Sequence, residues 1–289
     1  MDLYTARNRV LTTLKNQDYG SYINQAFFPN AVKDGYLGLK AVSLELSQIN
    51  SKVSEPKIGK LRLQFWRDQV NRLYNGAPFA QEASLTLLNS TTKHPSSSLL
   101  KNFILKAIRS RENRLGDPPF ADLDSVAQNG ENCVSPFLYC ESELVGISGT
   151  IDHILTNIGQ CSGIVTLLRG FPILLRNGII NLPIDLCAKY TIRQEDLIRS
   201  PVATDALKDC VFEIATRAND HMITARSFLK ELESPLIKPY SCLILDALPL
   251  QYYLKNLEKA NFDPFNIRPL RSQWTYPLKA YYAYNKCTI

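Results

Sequence analysis

Two carboxylates four residues apart share one face of a helix, the arrangement that clamps Mg²⁺ against a diphosphate. Asp205 and Asp209 have that spacing. They stand where a helix begins, however, and acids in a first turn meet the positive end of the helix dipole, so helix-start electrostatics accounts for the pair. His153 and His221 each follow an aspartate, which suggests proton transfer. No HExxH or Cys/His cluster accompanies them, so they read as solvated or core histidines and no structural zinc site is expected. The seven cysteines form no CxxC pair, and Cys161, Cys187 and Cys210 sit in apolar stretches, as reduced, buried thiols do. Phosphate-loop, dinucleotide and GxSxG fingerprints are absent, leaving kinase, dehydrogenase and hydrolase readings without support. Arg62, Arg67, Arg169 and Arg176 are the side chains a phosphate-binding reading would choose, because a guanidinium fork matches phosphate oxygens. The alternative is structural: Arg67 pairs with an inner-helix acid, Arg176 caps a loop, and Arg62 and Arg169 belong to the scaffold.

The elements that must position these groups read as helices. The chain has 289 residues, 45% hydrophobic and 21% charged, a balance that excludes a disordered or collagenous protein. Val211, Ala215, Ala218, Met222, Ala225 and Leu229 recur at helical spacing, as do Leu39, Val42, Leu46 and Ile49, and Trp66, Val70, Leu73 and Tyr74; strand-like alternation is almost absent, so the fold class is all-α. The net charge of +6 is dispersed without a run of like charges, and with no zinc-finger, homeodomain or RNA-recognition signature a nucleic-acid partner is not expected. Arg169, Pro172 and Arg176 interrupt the most apolar region, 154–190, so no membrane-spanning segment is expected. Residues 1–20 carry Arg7, Arg9 and Lys15 among Leu and Val, a weak targeting signal. The rest divides into one helical domain, 21–262, and a proline- and tyrosine-rich tail, 263–289, expected as an irregular surface strap.

The string RLQFWRDQVNRLYNGAP, residues 62–78, sets two aromatics inside an Arg-rich helix before a Gly/Pro turn. It resembles a landmark segment of the squalene/phytoene synthase family. Three further stretches resemble family landmarks in the right order: AFFPNAVKDGYLGLKAVSLELSQINSK (26–52), IGQCSGIVTLLRGFPILLRNGIINLPIDL (158–186) and ALKDCVFEIATRANDHMITARSFLKEL (206–232). The resemblance implies an isoprenoid-synthase-type helical bundle around a central cavity. Active members ionise an allylic diphosphate held by Mg²⁺ on two Asp-rich motifs of opposing helices. Aligned on those motifs, this chain has Ser47, Gln48 and Ser51 at the first, Gly170 and Leu174 at the second, and Thr166 where an asparagine is usual. Ser and Gln are weak neutral ligands for Mg²⁺, and Gly and Leu offer no side-chain donor, so neither metal site is expected to form and no cofactor is implied.

Glu45, Arg62, Trp66, Arg67 and Arg169 then stand as vestigial cavity residues, with Glu45 either buried against a cavity arginine or a surviving ligand. Stretches 163–169 and 182–187 (LPIDLC) are similar to a catalytically degenerate subgroup that acts in the assembly of mitochondrial respiratory complex I. That subgroup implies complex I subunits or assembly factors as partners and a peripheral place on the matrix side of the inner membrane. Two other readings remain open: an active Mg²⁺-dependent prenyl-diphosphate transferase, and a carrier that keeps an isoprenoid or lipid in the old cavity.

Overall fold

In the computed structural model of the protein, which describes every residue except 54, 148, 150, 233–239 and 271–272, the apolar periodicity is realised as helices and no strand occurs among the described residues. The first half runs α1 (Leu3–Gln17), α2 (Tyr19–Asn24), α3 (Lys33–Ser47), α4 (Pro56–Tyr74), α5 (Ala83–Leu88) and α6 (Ser97–Glu112). The second runs α7 (Leu123–Cys133), α8 (Ser135–Val145), α9 (Asp152–Arg176), α10 (Ile184–Lys189), α11 (Gln194–Arg199), α12 (Asp205–Glu231), α13 (Ala247–Lys259) and α14 (Tyr276–Lys286).

Helix α9 is the axis. It is apolar on most of its circumference, burying Ile154, Leu155, Ile158, Cys161, Ile164, Val165, Leu168 and Phe171, and it packs chiefly against α7 and α12. Length and composition alone would let this helix cross a bilayer, against the expectation from its arginines and proline; in this fold its apolar surface forms the core. The stripe foreseen on α12 faces inward, with Val211, Ala215, Ala218, Met222 and Ala225 buried. Where α7 crosses α9, the two backbones touch: a Cβ on Gly163 would lie 2.6 Å from Gly130 Cα, and one on Gly130 would lie 2.4 Å from the Gly159 carbonyl. A smaller second core of Leu39, Val42, Leu63, Val70, Ile104 and Phe137 joins α3, α4, α6 and α8.

Both chain ends are folded elements. Asp2 caps α1 by accepting the Thr5 N–H at 2.9 Å, Arg7 pairs with Asp34 at 2.8 Å, and Ala6, Val10 and Leu14 are buried. The stretch with the basic amphipathic pattern is therefore part of the core. The tail is not an irregular strap throughout: Pro277 in the first turn starts helix α14, whose Tyr276, Ala280 and Ala283 are buried.

Candidate functional site

The end of α3, the end of α6, and α7 and α9 wall a cavity with two lobes of about 330 Å³ and 430 Å³, within the usual range for small-molecule sites. Both lobes are lined by Ser47, Arg111, Asn129, Cys133, Gly163 and Thr166. Residues expected at the two motifs come together: Ser47 and Ser51 line the second lobe with Thr166, Gly170 and Leu174. Gln48 turns away, bonding Gln17 and Lys52.

The donors there are poor for Mg²⁺. Ser47 Oγ donates to the Leu44 carbonyl at 2.7 Å and Ser51 Oγ to the Gln48 carbonyl at 3.1 Å. A Cβ on Gly170 would meet nothing closer than 3.9 Å, so there is room for a side chain where the sequence supplies none. The second lobe's carboxylate is Asp117, which burial pushes up while Arg114 and Asn50 pull it back. Among the described residues no group of three or more His, Cys, Asp or Glu could hold a metal ion. Divalent Mg²⁺ needs carboxylate oxygens in near-octahedral array, and these residues do not fit it.

The first lobe is lined by the carboxylates of Asp18 and Asp246, and across both lobes the cavity also carries arginines. Arg111, from the last turn of α6, lines both lobes; its Nε is buried with no hydrogen-bond partner among the described residues, and burial lowers its pKa while Cys133 opposes. Arg114 lies 3.7 Å over the Phe120 ring and Arg169 lines the first lobe. Sequence reasoning missed Arg111, although a signal was present: Ile104 and Ile108 are buried in α6, and the next helical step on that face is residue 111.

Lys40 and Asp246 of the first lobe's wall belong to a buried ionic triad that was also missed. Lys40 Nζ is 2.7 Å from Glu141 and pairs with Asp246, tying α3 to α8 and to the turn before α13. Burial opposes the Lys40 charge, but Asp246 and Glu141 outweigh it and raise the lysine above its ordinary range. One lysine cannot neutralise two carboxylates, and the deeper one yields: burial pushes Glu141 up to about 8, with Lys40 pulling it back and Asp246 adding to the rise.

Of the five residues expected in the cavity, only Arg169 lines it. Glu45, Arg62 and Trp66 line a separate outer groove between α3 and α4, with Ile49, Ile58 and Phe65. Burial raises the Glu45 carboxyl and neighbouring Ser84 lowers it; among the described residues Glu45 forms no ion pair with an arginine. Trp66 is buried in the second core. Arg67 bonds Glu112 and, at 2.8 Å, Gln64, joining α4 to α6. The reason is rotational: Glu45 is two residues from Ser47, about 200° around the same helix, and faces the opposite side. Asp205 lies in the first turn of α12, 3.7 Å from Lys208; His153 stacks on Phe228 and His221 bonds Asn157 at 3.2 Å.

Residues 14–276 match the squalene/phytoene synthase family model. Complex I assembly factor 6 of Bos taurus is 31% identical over 272 residues, 94% of this chain and 79% of that protein. The Homo sapiens protein of that name is 30% identical over the same shares, and its Dictyostelium discoideum homologue is 26% identical over 89% of this chain and 71% of its own. The fold is similar to a crystal structure of a dehydrosqualene synthase in complex with ligand, at a TM-score of 0.77, 9% identity and coverage of 99% and 97% of the two chains. It is also similar to squalene synthase HpnC from Alicyclobacillus acidocaldarius, at a TM-score of 0.71, 14% identity and coverage of 91% and 95%.

Proposed function

The chain belongs to the squalene/phytoene synthase family, and from that premise we propose that it is a non-catalytic member acting in the assembly of mitochondrial respiratory complex I, peripheral to the matrix side of the inner membrane. One observation carries the non-catalytic part: Ser47, Ser51, Gly170 and Leu174 line one lobe of the cavity, where ionising a diphosphate would call for opposed carboxylates and Mg²⁺. The assembly role rests on relatives of that name that cover almost the whole chain. Purified protein incubated with Mg²⁺ and farnesyl or geranylgeranyl diphosphate is expected to release no pyrophosphate and form no condensed product; either product would return the chain to the transferases. Deleting the gene is expected to deplete assembled complex I, and intact complex I would point to another client. Carbonate extraction of mitochondria is expected to release the protein from the membrane.

Arg111 favours a second reading, a carrier. A buried guanidinium without a carboxylate is costly and is relieved by an anion in the cavity, such as the headgroup of an isoprenoid or lipid phosphate. Calorimetric titration with prenyl phosphates tests this in the absence of Mg²⁺. No heat of binding would remove the carrier reading and leave the assembly role untouched.

A further inference from the structure

Helix α14 has a well-made inner side and an unusual outer one. Inside, Tyr276, Ala280 and Ala283 are buried, the Tyr276 ring lies 6.1 Å from Tyr19 and the Tyr284 ring 5.0 Å from Phe27. Outside, where a helix facing water would carry charge, the exposed residues are Leu278 at 64%, Tyr281 and Tyr282 at 63% each, and Trp274, just before the helix, at 81%. Helical spacing places Leu278, Tyr281 and Tyr282 on one side, and Trp274 is exposed just before them. Lys279 and Lys286 are exposed beside them.

The stretch of sequence that carries this face has charge of one sign. From Pro264 to Ile289 there is no Asp or Glu, while Arg268, Arg271, Lys279 and Lys286 are present. On the inner side, the Tyr276 hydroxyl is raised first by burial and then by Asp246 and Asp18.

We propose that this face docks on the surface of a bilayer containing anionic phospholipid, with Trp274, Leu278, Tyr281 and Tyr282 in the boundary between headgroups and acyl chains and Lys279 and Lys286 on lipid phosphates. Three features select lipid over a protein partner. Trp and Tyr have an apolar body and a polar edge, which suits the half-wet interface. The cations of this stretch complement an anionic leaflet. An 11-residue helix is too short to span hydrocarbon but long enough to lie in its surface plane. The inference rests on the peripheral-membrane part of the proposed function and assigns it a surface.

The protein has two tryptophans; Trp66 is buried and Trp274 exposed, so the difference in emission between the wild type and Trp274→Phe reports on this face. Full-length protein is mixed with phosphatidylcholine vesicles with or without phosphatidylglycerol, and with vesicles whose acyl chains are brominated. We expect flotation with the anionic vesicles, and quenching by brominated lipid confined to the Trp274 signal. The triple variant Trp274→Ser, Leu278→Ser, Tyr281→Ser should lower binding by about tenfold or more, and Lys279→Glu with Lys286→Glu should abolish the preference for phosphatidylglycerol. Vesicle binding unaltered in the triple variant, with Trp274 unquenched, would overturn this face and leave the peripheral-membrane reading standing. Failure to bind any vesicle would overturn both. Light scattering showing a dimer that the triple variant disperses would replace the bilayer with a second copy of the chain.

Discussion

Lys40, Glu141 and Asp246 together hold one positive charge against two carboxyls in the core, and proton linkage makes that arrangement depend on pH. Glu141 keeps its proton in the folded protein to about pH 8, whereas an unfolded glutamate releases it near the ordinary value of about 4.3. The folded state therefore binds more protons between those limits, and stability attributable to this group falls as pH rises through that window. Denaturant melts of Glu141→Gln are expected to lack that share of the decline; parallel profiles for variant and wild type would show that Glu141 titrates normally. Arg111 allows a prediction of the other sign. Replacing it with Met removes a buried charge that has no carboxylate partner among the described residues, so Arg111→Met is expected to stabilise the fold by about 1 kcal/mol and to lose any anion bound in the cavity. A destabilised variant would reveal a partner that holds the guanidinium.

At the scale of elements, the contact between α7 and α9 is set by glycines. Gly163→Ala would put a methyl 2.6 Å from Gly130 Cα; both neighbours are backbone, so the helices must separate, at a cost of about 1–3 kcal/mol. Thermal melting measures it, and a variant melting with the wild type would show that the crossing is slack. These helices were legible before the structure because one apolar stripe fixes type and approximate length: Val211 to Ala225 marks α12, and the string from Arg62 to Tyr74 lies within α4. What each polar face meets was less legible. Glu45 and Ser47 sit on one helix, yet one looks into an outer groove and the other into the cavity, a distinction set by rotation of the whole helix against its neighbours. The tail misled for a similar reason, since its prolines suggested irregularity while Pro277 occupies the first helical turn, where a missing N–H costs nothing.

Over the whole molecule, the family resemblance carried the architecture from the sequence, and Ser47, Ser51, Gly170 and Leu174 line one lobe of the cavity. The triad of Lys40, Glu141 and Asp246 could not be foreseen, because its members are separated by up to 206 positions and only the closed bundle joins them. With no group of three or more His, Cys, Asp or Glu among the described residues that could hold a metal ion, metal and folding should be uncoupled. A ligand that binds only the native state raises its stability with concentration, so millimolar Mg²⁺ and EDTA are expected to give the same melting temperature; a rise with Mg²⁺ would reveal a metal site.

The seven cysteines are all buried. Five of them, Cys161, Cys187, Cys210, Cys242 and Cys287, belong to the larger core around α9, Cys140 sits in the second core beneath α6, and Cys133 lines the cavity. A thiol reagent can reach the six core sulfurs only through openings of the native state, whose free energies differ between cooperative units. The wild-type chain thus contains its own set of clocks: the order in which Cys140 and the α9-side thiols react would tell whether the two cores open together or one gives way first.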